Sequence, residues 1–160
     1  MIRVFALSAL IITSCGESSI ILTEDEKKII TRDVKQTLQN YSDDIRKTGL
    51  KAEFKYLDSS SDFFWVPPGY NSAISYDSVA FILKQNAPLL TSINNVYEIL
   101  KIVPIGKYQA CYTARVISNV TDTKGNSSTT SLIETGVLIK RPTGWKLLSG
   151  QTSMINSTQN

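Results

Sequence analysis

The candidate chemical groups of this chain are its carboxylates, tyrosines and two cysteines, and the sequence contains no histidine. That removes imidazole acid–base chemistry, histidine-based triads and histidine metal sites. The carboxylates are the remaining plausible metal ligands, and their spacing matches no calcium loop, so neither a metal nor a cofactor is expected. Among the acids, Asp58 and Asp62 flank the serine run Ser59-Ser60-Ser61 and could pair as acid and base, but turn capping explains them better. Arg115 and Glu134 fall in the middle of two successive apolar segments. They could line a polar pocket, and a cross-strand ion pair on an outer face is the favoured reading. Asp77 is a further unplaced acid. Trp65, Tyr112 and Trp145 could wall a site for a flat ligand, with core packing as the alternative. Gln151 ends the polar triplet Ser149-Gly150-Gln151, where a purely structural strand would favour β-branched residues, which makes it a candidate ligand contact. Cys111, between Ala110 and Tyr112, reads as a buried, inert small hydrophobe. No residue is assigned a catalytic role on this pattern alone.

The elements that must position these groups follow from periodicity. Thr23 and Glu26 form a capping-box pair, with Glu24 and Asp25 at the positive end of a helix dipole. Ile30, Val34, Leu38, Tyr41 and Ile45 then recur at steps of three and four, which predicts one long helix ending near Gly49. Tyr41 lies on that apolar stripe. Ala52–Leu57 and Phe63–Val66 read as a hairpin around Asp58–Ser61, closed by Pro67-Pro68-Gly69. A shorter helix is expected over Tyr76–Asn86, capped by Ser75 or Asp77 and stopped before Pro88. Strands over Val96–Val103, Tyr108–Thr121, Ser128–Arg141 and Gly144–Gln151, with turns at Lys124-Gly125-Asn126 and Pro142-Thr143-Gly144, make an antiparallel meander. The fold class is therefore α+β, with a long N-terminal helix and a short helix packed in a strongly curved antiparallel sheet.

The N-terminus carries an address. Arg3 precedes the apolar run Val4–Ile12, which as a helix spans roughly 14 Å, about half of a ~30 Å hydrocarbon core. It is too short for a permanent span and reads as a secretory signal. The tetrad Ile12-Thr13-Ser14-Cys15 resembles the bacterial lipobox. The resemblance implies cleavage after Ser14, a lipid on the Cys15 thiol and acylation of its new amino group, and several acyl chains anchor a protein stably. Gly16 stands where an aspartate would favour inner-membrane retention, so the outer membrane is the preferred location within a bacterial cell envelope. Residues 1–14 are then a signal peptide and residues 15–22 the lipidated cysteine and a short tether. Residues 23–152 form one α+β domain, and residues 153–160 a polar tail. The charge balance of 17 Lys and Arg against 14 Asp and Glu, with no basic run longer than two, leaves no nucleic-acid footprint.

Element order, Val66-Pro67-Pro68-Gly69 after the first hairpin and the ending Gly144–Gln151 together resemble the nuclear-transport-factor-like superfamily. That superfamily includes ketosteroid isomerases and SnoaL-like cyclases. The resemblance covers about residues 23–152 and implies a cone, or cystatin-like roll, whose sheet wraps the helices and leaves a pocket. It also marks departures. Isomerase-like members carry an acidic base just before the proline of Pro-x-Gly, and here that position is Val66. Many small members carry a histidine in the last strand, near Gln151 here. Tyr41 falls about where isomerases place an oxyanion-binding tyrosine, although its place on the stripe favours a core role.

Two functions are compatible with these residues. The preferred one is a membrane-anchored, non-catalytic lipoprotein domain that binds a small apolar ligand, with Tyr41, Trp65, Tyr112, Trp145 and Gln151 as contacts, or a protein partner. The other is a pocket enzyme of isomerase, cyclase or dehydratase type using Tyr and Asp or Glu. A homodimer through the sheet's outer face is compatible with both. A pocket holding a carboxylate with a raised pKa beside a tyrosine would favour the enzyme.

Overall fold

A computed structural model describes residues 21–155. The signal segment, Cys15 and most of the tether lie outside the described residues, as do the last five residues of the tail. Helix α1 runs Glu24–Thr48, and its capping box is complete: Thr23 accepts from the Glu26 amide while Glu26 accepts from the Thr23 amide. Its buried residues are Ile30, Val34, Leu38, Tyr41 and Ile45, the predicted stripe. Gly49 ends it at φ 80°, a left-handed backbone conformation that favours glycine.

The next segment differs from expectation. Leu50–Lys55 is a 3₁₀ helix, not a strand, so the first hairpin does not form. The apparent alternation of Ala52, Phe54 and Tyr56 misleads because the segment has no β-branched residue, and Lys, Ala and Glu favour helical turns. Strand β1, Phe64–Val66, instead pairs parallel with the last strand, Phe64 opposite Ser149 and Val66 opposite Gln151. Helix α2 covers Tyr76–Asn86, with the Ser75 side chain accepting from the Ser78 amide.

The rest is the expected meander: β2 Leu90–Gly106, β3 Gln109–Asp122, β4 Ser127–Arg141 and β5 Gly144–Met154. The sheet order is β1-β5-β4-β3-β2. Register breaks at Tyr97/Ile99 in β2 and opposite Val137/Leu138 in β5 are bulges, each bending its strand. The curled inner face holds α1 against Ala110, Tyr112, Ala114, Val116, Leu138 and Leu147, which join the helix stripe in one core. Arg141 clamps the start of the β1 arm to this sheet. Its Nε and Nη2 donate to both oxygens of the buried Asp58 carboxylate at 2.6 and 3.2 Å. Asp58 also accepts from the Ser60 amide, so the expected turn cap is real and carries an ion pair besides.

Candidate functional site

A cavity of about 240 Å³ lies between the inner face of the sheet, α1, α2 and the 3₁₀ helix. That is below the roughly 300–1,000 Å³ of drug-sized sites, so it suits one small molecule. Its walls are mostly apolar: Leu57, Phe63, Pro67, Val79, Leu83 and Leu132 are among them. Its charged lining residues among those described are Glu53 from the 3₁₀ helix and Glu134 from β4, and no described Lys or Arg lines it.

The two carboxyl groups are set apart by their surroundings. Glu53 is pushed up to about 7, first by burial and further by the nearby charge of Glu134, against the opposing effect of the Tyr41 hydroxyl. Glu134 is also raised by burial, but two tyrosines restrain it, Tyr112 and Tyr97. The Tyr112 hydroxyl donates to Glu134 Oε1 at 2.6 Å. Burial, with the negative charges alongside, raises Tyr41, Tyr97 and Tyr112 well above the usual phenol value. Both carboxyls are thus shifted toward the neutral form, Glu53 to about 7.

Two glycines shape the floor. Across the sheet, Tyr112 opposes Gly136, Gly136 opposes Gly150 and Gly150 opposes Trp65. A Cβ on Gly150 would lie 2.4 Å from the Thr135 carbonyl and 2.6 Å from the Trp65 ring, and one on Gly136 would meet Tyr112 at 2.9 Å. The missing side chains make room for the Trp65 indole across β5 and β4, where its Nε1 donates to Thr152 Oγ1 at 3.1 Å.

Of the sequence candidates, Tyr41 and Trp65 line the cavity, and Tyr112 reaches it through Glu134. Trp145 is buried in the core and is not among the lining residues. Gln151 is exposed and lies with Val66 and Cys111 along a shallow groove whose lining shares no residue with that of the cavity. The bulge between Leu147 and Ser149 reverses β5, so Leu147, Gly150 and Thr152 face inward and Gln151 outward. The same groove holds Cys111, which is half-buried, not fully buried as expected.

The Arg115–Glu134 ion pair does not form. Glu134 sits opposite Ala114 and Arg115 opposite Ile133, so the pleat sends the two to opposite faces. Arg115 pairs with Glu98 at 3.2 Å on the outer face. Asp62 and Asp77 are exposed and outside the cavity lining. Sequence reasoning missed Glu53 and Tyr97. Period-two counting back from Leu138 through Gly136 would have placed Glu134 inward, and Glu53 was marked only by being an acid between Ala52 and Phe54. Among the described residues, no group of three or more His, Cys, Asp or Glu could hold a metal ion.

This architecture is the nuclear-transport-factor-like, cystatin-like fold. A nuclear transport factor 2-like superfamily protein from Salmonella enterica superposes with a TM-score of 0.69 at 15% identity, covering 82% of this chain and 95% of its own. A cystatin-like-fold protein from Caulobacter vibrioides gives 0.62 at 13% identity, covering 79% and 90%. A hexachlorocyclohexane dehydrochlorinase gives 0.65 at 11% identity, covering 84% and 90%. No protein-family model and no curated protein matches the chain.

Proposed function

We propose that the domain is a pocket enzyme that moves a proton on a small, largely apolar substrate, in an isomerisation or elimination. The observation that carries this reading is Glu53: a carboxyl pushed up to about 7, facing the Tyr41 hydroxyl, in a cavity lined mostly by apolar side chains. A base poised near the working pH can both take a proton from carbon and return it. In an isomerisation Glu53 removes a proton beside an electron-withdrawing group and redelivers it elsewhere on the same skeleton. In an elimination it removes the proton while the leaving group departs from the adjacent carbon. Glu134, held by the Tyr112 hydroxyl, is a second polar contact that orients the substrate. One structural neighbour is a dehydrochlorinase, an elimination enzyme by its name.

Solvent deuterium uptake tests the reading. A panel of small cyclic and aromatic ketones and β-hydroxy ketones is incubated with protein in D₂O and followed by NMR. Exchange or dehydration is expected to fall on the acid side of about pH 7 and to drop by at least ~10²-fold in Glu53→Gln. Equal rates in the two proteins would end the acid–base reading. They would leave the non-catalytic alternative, a domain that only binds an apolar ligand, which the predominantly apolar walls also suit.

The Ile12-Thr13-Ser14-Cys15 tetrad supports an envelope location, with the enzyme held on a bacterial membrane through lipid on Cys15 and the outer membrane preferred. Metabolic labelling with a palmitate analogue should mark the wild type and not Cys15→Ser, and Cys15→Ser should leave the membrane fraction. Labelling that survives the substitution would exclude this anchor.

A further inference from the structure

We propose that the cavity takes a protonated amine carried on a flat apolar frame, with Glu134 and the Asn95 side-chain oxygen as its polar contacts. The proposal rests on the cavity being the functional site, and it concerns what binds there, not the step that follows.

Acceptor capacity is left in the cavity beside the hydroxyls of Ser118 and Thr152, which can either give or accept. Tyr112 spends its hydroxyl proton on Glu134, and Trp65 spends its indole N–H on Thr152. The Tyr97 hydroxyl also acts on Glu134 and that of Tyr41 on Glu53. A carboxylate offers about four lone-pair sites, so Glu134 retains acceptor capacity after both tyrosines are counted. Asn95 lines the cavity as well, and its Oδ1 is buried with no hydrogen-bond partner among the described residues. A buried acceptor without a donor is costly, which favours a ligand that brings N–H groups.

Charge points the same way. Two carboxyls share a lining that contains no Lys or Arg among the described residues, so ionising either leaves negative charge uncompensated in low dielectric. An ammonium group supplies the missing counter-ion, whereas a carboxylate or phosphate ligand would be repelled. Phe63 and Trp65 add apolar walls, and aromatic faces attract cations. The Trp65 indole, seated over the two glycines, favours a flat frame.

The titratable groups facing such an ammonium are Tyr41 of α1, Glu53 of the 3₁₀ helix, Tyr97 of β2, Tyr112 of β3 and Glu134 of β4; the cavity residues of α2, β1 and β5 bring none. The tyrosines stay neutral across the working range, so affinity follows the carboxyls.

Calorimetric titration of the purified full chain with phenethylammonium, 2-phenylethanol and 3-phenylpropionate at pH 8 and pH 5.5 tests the proposal. The amine stays protonated at both values. At pH 8 it is expected to bind at least tenfold more tightly than the alcohol, with no detectable carboxylate binding, and to weaken severalfold at pH 5.5. Glu134→Gln should abolish the preference for amine over alcohol. Alcohol or carboxylate binding as tight as amine binding, absence of amine binding, or a preference that survives Glu134→Gln would overturn the proposal. The wild-type ligand series decides even if that variant does not fold. Because the readout is binding, failure of deuterium exchange would remove the acid–base reading and leave this one standing. Loss of amine selectivity with exchange intact would do the reverse.

Discussion

Asp58→Asn isolates the clamp that holds one wall of the cavity. Asp58 is 4% exposed, and its pairing with Arg141 holds its carboxyl down at about 2. The backbone on either side is stitched to β5: the Asp58 amide donates to the Leu147 carbonyl, and the Leu147 amide to the Tyr56 carbonyl, both at 2.8 Å. Leu57, between them, lines the cavity, and Glu53 lies one turn upstream. Relative to the ordinary carboxyl value of 3.8, a folded value of about 2 is worth somewhat over 2 kcal/mol. Arg141 keeps 36% of its side chain in water, and solvent screening brings the expected loss to roughly 2 kcal/mol.

The pH dependence has a definite sign. A lowered carboxyl value stabilises the fold fully above the unfolded value and loses that contribution as pH falls toward the folded one. Urea unfolding should therefore show Asp58→Asn about 2 kcal/mol less stable than wild type from pH 5 to pH 8. The gap should close between about pH 4 and pH 2. At neutral pH this corresponds to a melting point lower by about 4–8 °C. A gap that is the same at pH 7 and pH 2.5 would refute the ion pair as its source, and no gap at pH 7 would refute the clamp itself.

Three further substitutions probe the core and the site. Gly150→Ala drives a methyl into the Thr135 carbonyl and the Trp65 ring, so urea unfolding should show a loss of about 1–3 kcal/mol and tryptophan fluorescence should report a displaced indole. Glu53→Gln should stabilise the fold at pH 8 by up to about 3 kcal/mol and do nothing at pH 4, because a carboxyl raised to about 7 costs stability only once it ionises. Leu38→Ala, at a position 1% exposed in the middle of the α1 stripe, should cost about 2–5 kcal/mol by thermal or urea unfolding, with no change in the pH profile of any activity.

What could be read from the sequence was local. Thr23 and Glu26 cap α1 through contacts three residues apart, and the stripe from Ile30 to Ile45 repeats within single turns, so both are written into adjacent residues. The turns around Gly125 and Gly144 are similarly local, since each needs a left-handed residue. The site depends instead on which face each strand residue takes, and that is set by partners far along the chain. Strict alternation from Trp145 and Leu147 would bring Ser149 and Gln151 inward; one extra residue in β5 at Leu148 reverses them and sends Gly150 and Thr152 in. Arg115 and Glu134 looked like partners while their register was unknown, and a shift of a single position separates them by the thickness of the sheet.

That same sensitivity explains why the acids of this site do not come from the position before Pro67. Val66 pairs with Gln151, and the two share the groove outside the cavity, while Trp65 takes the inward place. An acid at residue 66 on this backbone would face that groove, so a carboxyl inside the cavity has to be delivered by another element. The 3₁₀ helix does this because Gly49 breaks α1 and turns Leu50–Lys55 back alongside it, which brings Glu53 to Tyr41 on the preceding helix. The β4 register supplies the second acid, and the glycine at residue 136 leaves space beside Tyr112, whose hydroxyl meets Glu134. The cavity's two carboxyls are therefore products of a broken helix and a strand register, and any variant that straightens the chain at Gly49 should remove Glu53 from the site without touching Glu134. Gly49→Val, which opposes the φ of 80° there, should cost roughly 1–2 kcal/mol and abolish any activity that depends on Glu53. Amine selectivity set by Glu134 should survive it, and its loss in the same variant would show that the two acids are not positioned independently.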